Sequence, residues 1–289
     1  MPRIAYVNGR YVPHQHAQVH IEDRGYQFAD GIYEVCSVLD GKLLDLEGHL
    51  ARLSRSLAAL KIAEPFHRPA LLQIIRQVIN RNRVRDGVVY MQITRGVAPR
   101  DHKFPTQTMC PSMVVTAKAF NWRVLEARAE KGIKAQSAPD ERWARCDIKS
   151  VALLPNVLAR QAAIEAGADE AWLVDDQGFV TEGAASTAWI VTKDGTLVTR
   201  PLSPDILPGI TRATLMDVAA EKGLKVEERA FTIEEAQQAR EAFVTAATAF
   251  VQPVVEVDGK PLGNGAAGSF TLELRAAYIA QARSMAVSI

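Results

Sequence analysis

The sequence predicts a mixed α/β (α+β) protein of two domains. Segments in which apolar and polar residues alternate, as in strands, are interspersed with segments whose apolar residues share one helical face. The two kinds of segment do not alternate regularly, so a doubly wound parallel sheet is not favoured. The pattern loosens over residues 118–123. We therefore expect a smaller N-terminal domain of residues 1–118 and a larger C-terminal domain of residues 119–289 that carries Lys149.

Turn dipeptides and helical spacing predict the elements of the first domain. Asn8-Gly9 and Asp40-Gly41 favour tight turns, which predicts a hairpin over residues 4–12 and a strand over 32–39. Residues 23–30 show neither period and are predicted to be irregular. The other predicted elements are helices over 47–61 and 69–80 and strands over 88–94 and 112–116.

The second domain is predicted from the same signals. A helix over 210–222 follows Pro208-Gly209 and ends at Gly223, and Asp258-Gly259 predicts a hairpin of 254–257 with 260–262. The other predicted elements are helices over 154–166, 233–238 and 269–285 and strands over 170–175, 187–191, 226–228 and 242–245.

Composition excludes several classes of function. The chain has 289 residues, 48% of them hydrophobic and 23% charged, which is typical of a globular protein. The net charge of +1 without a basic cluster does not favour nucleic-acid binding. No apolar run approaches the roughly 20 residues of a membrane helix, and the start lacks the apolar core of a signal peptide. Three widely spaced cysteines predict a reducing cytoplasm rather than a disulfide framework. The histidines show no metal-site spacing, so no metal is expected.

Lys149 is the candidate for nucleophilic chemistry. It lies between Ile148 and Ser150 and precedes an apolar stretch, residues 151–154. Burial of an ammonium group is costly and lowers its pKa, so that the amine becomes a usable nucleophile or base. The alternative is a strand-end lysine whose stem packs on apolar surface while its ammonium group stays in water.

Other residues could bind charged groups. Glu182 follows a turn and could face a cationic nitrogen, or it could be a solvated carboxylate. Residues 209–212 begin a helix, where free amides and the helix dipole could bind an anion, although an ordinary helix start looks the same. Arg100 and His102 flank Asp101 in a loop and could face one carboxylate ligand, or the loop could be solvated. Arg52 lies in a helix, where a surface ion pair is the default interpretation.

These stretches together resemble the class IV, fold-type IV pyridoxal-phosphate aminotransferases, and within them the D-amino-acid branch. The resemblance extends in order over nearly the whole chain. Its motifs are Glu22-Asp23-Arg24-Gly25-Tyr26-Gln27-Phe28 with Asp30-Gly31-Ile32-Tyr33-Glu34-Val35, residues 49–53, Thr94-Arg95-Gly96 through Pro105, Arg142-Trp143 through Ser150, Thr181-Glu182-Gly183, Gly209-Ile210-Thr211-Arg212 and residues 243–248.

The resemblance implies the cofactor pyridoxal 5′-phosphate and roles for the residues that match. Lys149 would hold the cofactor as a Schiff base and later move the substrate proton. Glu182 would pair with the pyridine nitrogen, and Leu207 would pack against the ring. The phosphate would be held by Arg52, Ile210, Thr211 and Thr248.

The same resemblance implies a substrate and an assembly. Tyr33, Arg100 and His102 would bind the α-carboxylate of a D-amino acid, such as D-alanine, whose amino group passes to a 2-oxoacid such as 2-oxoglutarate. Arg100 and His102 would reach into the site of the partner subunit, which implies a homodimer. The chain departs from the family at Ala184-Ala185, where a serine-rich run is usual, so we expect a cofactor that is held less firmly.

Alternatives on the same fold remain open at the level of sequence. They are a branched-chain L-amino-acid aminotransferase, an (R)-amine transaminase and an aminodeoxychorismate lyase. The pair Arg100 and His102 favours the D-amino-acid activity, since an amine substrate would need no carboxylate partner. From a different class, the chain could be a non-catalytic anion-binding protein, which the presence of both Lys149 and Glu182 disfavours.

Overall fold

The computed structural model describes residues 3–288, which fall into two compact units. Among the described residues, the first comprises residues 3–121, 148–152 and 286–288, and the second comprises Trp122–Asp147 and Leu153–Met285. The predicted division, between residues 118 and 119, places residues 148–152 in the second domain. In the structure this segment, with Lys149, packs in the first unit instead. The reason is backbone pairing, because Tyr33 N donates to Lys149 O at 3.0 Å and Val151 N donates to Gly31 O at 3.0 Å.

The first unit is built on a sheet whose paired strands are all antiparallel. The sheet order is β16-β4-β3-β5-β6-β1-β2. Its strands are β1 (Ile4–Val7), β2 (Arg10–Pro13), β3 (Gly31–Leu39), β4 (Lys42–Leu43), β5 (Gly87–Thr94), β6 (Ser112–Ala119) and β16 (Val287–Ser288). Its helices are α1 (Arg24–Phe28), α2 (Leu46–Ala59) and α3 (Arg68–Arg81), with a 3-10 helix at His14–His16.

The core of the first unit lies between this sheet and α2 and α3. Leu50, Leu53 and Leu57 recur on one face of α2 and are buried in the same cluster as Ile32 and Cys36 of β3. This is the spacing from which the helix was predicted, so the prediction of α2 is confirmed. The burial fixes the strand and helix that carry Tyr33, Glu34 and Arg52.

The prediction that residues 23–30 are irregular is wrong. They contain α1, whose N-cap Asp23 accepts a hydrogen bond from Gly25 N at 2.9 Å. Gly25 is required here, because a Cβ at this position would lie 2.1 Å from Cγ2 of Thr94. A helix of five residues is too short to show a hydrophobic period, which explains why the pattern did not predict it.

The second unit is built on a larger, mixed sheet with the order β12-β11-β10-β13-β14-β7-β8-β9, and β15 also pairs with β14. Strand pairs β14·β7, β7·β8 and β11·β12 are parallel. The strands are β7 (Ile133–Pro139), β8 (Glu170–Val174), β9 (Val180–Gly183), β10 (Thr187–Val191), β11 (Leu197–Thr199), β12 (Val226–Glu228), β13 (Glu241–Ala246), β14 (Phe250–Val257) and β15 (Lys260–Pro261). The helices are α4 (Trp122–Lys131), α5 (Leu154–Glu165), α6 (Ile210–Glu221), α7 (Ile233–Gln238) and α8 (Ser269–Ser284).

Four elements of the second unit, α4, β7, β9 and β11, are not among those that the hydrophobic pattern predicted. Helix α4 buries only Ala129, so it shows no apolar stripe. Strand β7 lies inside the sheet, yet only Ile133 and Ala135 of its residues are buried. Backbone pairing with β14 and β8, rather than large apolar side chains, defines this strand. None of the helices in residues 3–288 has both the length and the apolar character needed to cross a membrane.

Candidate active site

Lys149 is fixed by its backbone at the start of β3. Ile32 and Ser150 form an isolated antiparallel bridge, and Lys149 N donates to Oγ of Ser56 at 3.3 Å. The neighbouring side chain of Ile148 is buried in the core of the first unit. Lys149 therefore projects from a rigid backbone segment, although its own side chain is only half-buried.

The ammonium group of Lys149 lies against an aromatic ring. Its Nζ is 4.2 Å from the centroid of the Tyr33 ring. That ring stacks on Tyr90, with centroids 5.8 Å apart, and the Tyr90 hydroxyl donates to Gln92 at 2.7 Å. Burial raises the pKa of Tyr90 to about 12, so this hydroxyl stays protonated. The structure therefore brings together two predicted site residues, Lys149 and Tyr33.

Arg52 belongs to a buried cluster of three ionisable side chains. Its Nε donates to Oε1 of Glu34 at 2.7 Å and a terminal nitrogen donates to Oε2 at 2.8 Å, while His49 Nδ1 lies 2.8 Å from Oε2. Burial alone would raise the pKa of Glu34, but the bonds and charges of Arg52 and His49 outweigh burial and lower it to about 2. The default interpretation of Arg52 as a surface ion pair is wrong, because the guanidinium and its carboxylate partner are both buried.

Residues 94–102, which begin at the last residue of β5, form a segment that we call the 94–102 loop. Its first part is largely buried, and Arg100 and His102 lie at its exposed tip. The Arg100 guanidinium carbon is 5.2 Å from the centroid of the Phe28 ring, and the His102 ring is 5.5 Å from the same ring. We find no ion pair of Arg100 within residues 3–288. The loop thus presents a cation and an imidazole on one aromatic ring, and a guanidinium of this kind can bind a carboxylate by charge-assisted hydrogen bonds.

Glu182, on β9 of the second unit, is a buried carboxylate with strong donors. Arg142 forms an ion pair with its Oε1, and the backbone N–H of Leu207 lies 3.2 Å from both carboxylate oxygens. The solvated-turn interpretation of Glu182 is therefore wrong. The structure also places the backbone of Leu207 next to Glu182.

Arg142 is a site residue for which sequence reasoning gave no role. It also binds Asp140, with Nε and a terminal nitrogen at 2.8 Å and 2.7 Å from the two carboxylate oxygens. Burial would lower the pKa of the Arg142 guanidinium, whereas Asp140 and Glu182 raise it, so Arg142 stays charged and favours the ionised form of Glu182. The signal was its place in a matched motif, Arg142-Trp143 through Ser150, which does not reveal a partner 40 residues away in sequence.

The N-terminus of α6 has the features of an anion site. Gly209 is its N-cap, no side-chain cap is present and the first turn has no acidic residue. By contrast, α8 also begins at a glycine, but the Glu241 carboxylate accepts from Phe270 N at 3.3 Å and from Thr271 N at 2.8 Å. We find no such acceptor for Ile210 and Thr211 within residues 3–288.

The turn that carries Thr248 is connected to this helix start through strands β10 and β13. A Cβ on Gly209 would lie 2.9 Å from Oγ1 of Thr187, so the helix start packs closely on β10. Thr187 in turn pairs with Thr245 on β13, and the exposed turn that carries Thr248 follows β13. The second unit therefore groups the predicted phosphate residues Ile210, Thr211 and Thr248 at one end of its sheet.

Comparison with known proteins decides the family. The family described as amino-transferase class IV matches residues 31–257, which is most of the chain.

This chain belongs to the class IV aminotransferases.

Among the relatives of this class IV aminotransferase are D-alanine aminotransferases of bacteria. The enzyme of Bacillus licheniformis is 42% identical over 270 residues, which cover 93% of this chain and 94% of the relative. The enzyme of Staphylococcus haemolyticus is 38% identical over 274 residues, covering 94% and 95%. The resemblance to this family that the motifs indicated is therefore confirmed.

Solved structures agree on the fold of this class IV aminotransferase. The Escherichia coli branched-chain amino acid aminotransferase is 24% identical with a TM-score of 0.88, and covers 97% of this chain and 94% of its own. The T.th. branched-chain amino acid aminotransferase with pyridoxamine 5′-phosphate is 26% identical, also with a TM-score of 0.88, and covers 98% and 95%. The predicted mixed α/β, fold-type IV architecture is thus confirmed.

Proposed function

We propose that the chain is a pyridoxal-phosphate-dependent aminotransferase that moves the amino group of a D-amino acid, such as D-alanine, to a 2-oxoacid such as 2-oxoglutarate. The observation that carries the proposal is the pair of exposed side chains Arg100 and His102 on the ring of Phe28. D-alanine aminotransferases that are 36–42% identical to this chain support it.

The described donors suit pyridoxal phosphate. Lys149 supplies an amine on a rigid segment, and Glu182 supplies a buried, ionised carboxylate for a ring nitrogen. The uncapped start of α6, with Ile210 and Thr211, supplies amides for a phosphate. Further phosphate and ring contacts are assigned to Arg52, Thr248 and Leu207.

When bound, the cofactor supplies an electron sink for the charge that develops at the substrate α-carbon. Nζ of Lys149 would move the proton between the substrate α-carbon and C4′ of the cofactor, in opposite directions in the two half-reactions. The Tyr33 ring, fixed by Tyr90, keeps Nζ at 4.2 Å from its face and so limits the directions from which the amine can approach. The charge of Arg142 favours the ionised form of Glu182, which would pair with the protonated ring nitrogen of the cofactor.

Binding of the α-carboxylate fixes whether the α-hydrogen of the substrate faces Lys149. An arginine with a nearby imidazole binds a carboxylate through charge-assisted hydrogen bonds, and we assign this role to Arg100 and His102, with Tyr33. The 2-oxoacid carries the same carboxylate, so one clamp serves both half-reactions. Selection between enantiomers follows from the position of the clamp relative to the amine.

We assign Arg100 and His102 to the site of the partner subunit in a homodimer. The side chains of Ile21, Tyr26 and Phe104, on and near the segment that supports the 94–102 loop, are large, apolar and more than half exposed. Apolar groups of this size exposed together are typical of an interface. Their position supports an assembly in which the loop lies next to a second copy.

A branched-chain L-amino-acid activity is the second candidate, since the solved structures named above have this function. They are 26% identical or less, which is lower than the identity to the D-alanine aminotransferases. The D-amino-acid activity is therefore the better supported of the two.

The test of the proposal is a coupled assay of pyruvate formation from D-alanine and 2-oxoglutarate, with the cofactor bound. We expect turnover by the wild type and a loss of at least about 1000-fold in Lys149→Ala, because base and cofactor tether are removed together. Lys61→Ala, at an exposed lysine of the same unit, is the control and should retain activity. Near-normal turnover in Lys149→Ala would contradict the assignment.

A further inference from the structure

The 94–102 loop is attached along its length to residues 22–30, the segment that contains α1. Arg24 N donates to Gly96 O at 2.9 Å and Ala98 N donates to Glu22 O at 3.3 Å. Asp23 and Val97 also form an isolated antiparallel bridge. The base of the loop is therefore held by backbone hydrogen bonds. A side-chain substitution in α1 does not remove these bonds.

The side chain of Arg24 extends this attachment to the tip of the loop. It is buried, its Nε donates to Oδ2 of Asp30 at 2.8 Å, and a terminal nitrogen donates to Asp101 O at 2.7 Å. Asp101 is the residue between Arg100 and His102. This bond therefore fixes the carbonyl group of the residue that lies between Arg100 and His102.

Phe28 contacts the same two side chains directly. The guanidinium carbon of Arg24 is 4.8 Å from its ring centroid, and that of Arg100 is 5.2 Å away. The His102 ring lies 5.5 Å from it at an interplanar angle of 53°. A planar cation on an aromatic face is attracted by the ring quadrupole, so Phe28 limits the orientations open to Arg100.

We propose that Arg24 and Phe28 are positioning residues for carboxylate recognition: they hold Arg100 and His102 in the orientation that binds the substrate α-carboxylate. The proposal rests on the function proposed above. Neither residue touches substrate, and both act through the 94–102 loop. The other arginine of this network, Arg95, bonds to the carbonyls of Leu60 and Lys61 and is not assigned this role.

The choice of variants follows from the network. In Arg24→Lys, Asp30 keeps two hydrogen bonds from Arg95, at 2.7 Å and 2.9 Å, so no buried carboxylate is left without a cation. Lysine cannot reach Asp30 and Asp101 together as the planar guanidinium does. Phe28→Leu removes the aromatic face and keeps an apolar side chain. Tyr11→Leu is the matched control. Tyr11, on strand β2, also has an arginine over its ring, since the guanidinium carbon of Arg81 lies 4.4 Å from the ring centroid.

The test compares two reagents that attack the bound cofactor and differ in a carboxylate. Aminooxyacetate has one and O-methylhydroxylamine lacks it. The ratio of their second-order rate constants with the holoenzyme measures carboxylate recognition. We expect the ratio to fall about 10- to 100-fold in Arg24→Lys and Phe28→Leu, because small displacements of binding groups cost this much. The ratio should also fall in Arg100→Ala, and it should stay unchanged in Tyr11→Leu.

A second readout needs no cofactor. Hydrogen exchange of residues 97–103 in the apoprotein should be faster in Arg24→Lys and Phe28→Leu than in the wild type and Tyr11→Leu. Thermal unfolding establishes which variants are folded, and one folded variant, Arg24→Lys or Phe28→Leu, suffices for the test.

In the reagent experiment, a purely structural role of these residues would slow both reagents equally and leave the ratio of their rate constants unchanged.

The outcomes separate the two claims. An unchanged ratio in folded Arg24→Lys and Phe28→Leu, with Arg100→Ala impaired, would overturn the positioning role and leave the proposed function standing. A wild type that does not prefer aminooxyacetate would overturn the carboxylate clamp and with it this inference. A fall in the ratio together with faster exchange supports the inference.

Discussion

Glu34 is a buried carboxylate held ionised by two partners, Arg52 and His49. A charge at this depth is stable only when paired, and removing one partner of a buried pair is more costly than the pair is worth. The arrangement leaves Arg52 rigid, with the direction of its guanidinium determined by Glu34. At the scale of single residues, this network fixes the orientation of Arg52, to which we assign a phosphate contact.

Glu34→Gln is therefore expected to destabilise the fold in a pH-dependent way. The folded pKa of Glu34, about 2, lies below its ordinary value of 4.5, so its contribution is present above pH 4.5 and is lost as the pH falls toward 2. We expect a loss of about 3 kcal/mol in the free energy of unfolding at pH 7, measured by urea titration. Glu47→Gln, at an exposed position on α2, is the control. A difference that persists undiminished at pH 2 would contradict this account.

The sequence identified charged residues of the proposed site but not the residues that form ion pairs with them. The motifs identified Arg52 and Glu182, but Glu34 and Arg142, which fix them, were not given roles. Ion pairs join residues 18 and 40 positions apart, and no local period encodes such contacts. Local sequence also misjudged the surroundings of Glu182, because a carboxylate after a turn is usually solvated.

Among the elements, helix α6 shows how a helix start can be kept open for an anion. Its counterpart α8 uses the Glu241 carboxylate as a cap, whereas α6 has no acidic residue in its first turn. An anion near the first amides is stabilised by their partial positive charge. The sequence predicted this helix almost to the residue, from Pro208-Gly209 and Gly223, because caps and turns are local signals.

Thr211→Val is expected to weaken binding of pyridoxal phosphate to the apoprotein. The change is nearly isosteric and removes one hydroxyl donor, worth about 1 kcal/mol, so the dissociation constant should rise about fivefold. Thr214→Val, one turn later on the same helix, is the matched control and should leave it unchanged. Absorbance titration measures both. Equal losses in the two variants would show that the Thr211 hydroxyl is not a phosphate ligand.

Other elements could not be predicted, for physical reasons. Helix α1 is one turn long and is stabilised by Asp23 and by contacts with the 94–102 loop, which come from elsewhere in the chain. Strand β7 lies within the sheet with few large apolar residues, because its neighbours supply the pairing. Hydrophobic periodicity detects elements that bury a stripe of their own, and it does not detect α1 and β7, which are held by their partners.

For the whole molecule, the proposed homodimer makes one site from two chains, with Lys149 from one and Arg100 from the other. The two catalytic defects should therefore complement each other. A heterodimer of Lys149→Ala and Arg100→Ala has one site with both residues intact and one with neither, so we expect about half the wild-type activity per dimer. Co-expression with two affinity tags isolates this species.

The homodimeric variants serve as controls and should both be impaired with D-alanine. A heterodimer no more active than these parents would show that Lys149 and Arg100 act within the same chain. It would leave the transamination reaction in place and remove the shared site.

The central claim, a D-selective aminotransferase, is tested most directly by a single half-reaction. The holoenzyme is mixed with D-alanine and, separately, with L-valine, and the absorbance of the bound cofactor is followed without any oxoacid. We predict that D-alanine alone converts the cofactor to its aminated form, because the Arg100 and His102 clamp orients its α-hydrogen toward Lys149. Conversion by L-valine alone would contradict the claim and assign the chain to the branched-chain aminotransferases.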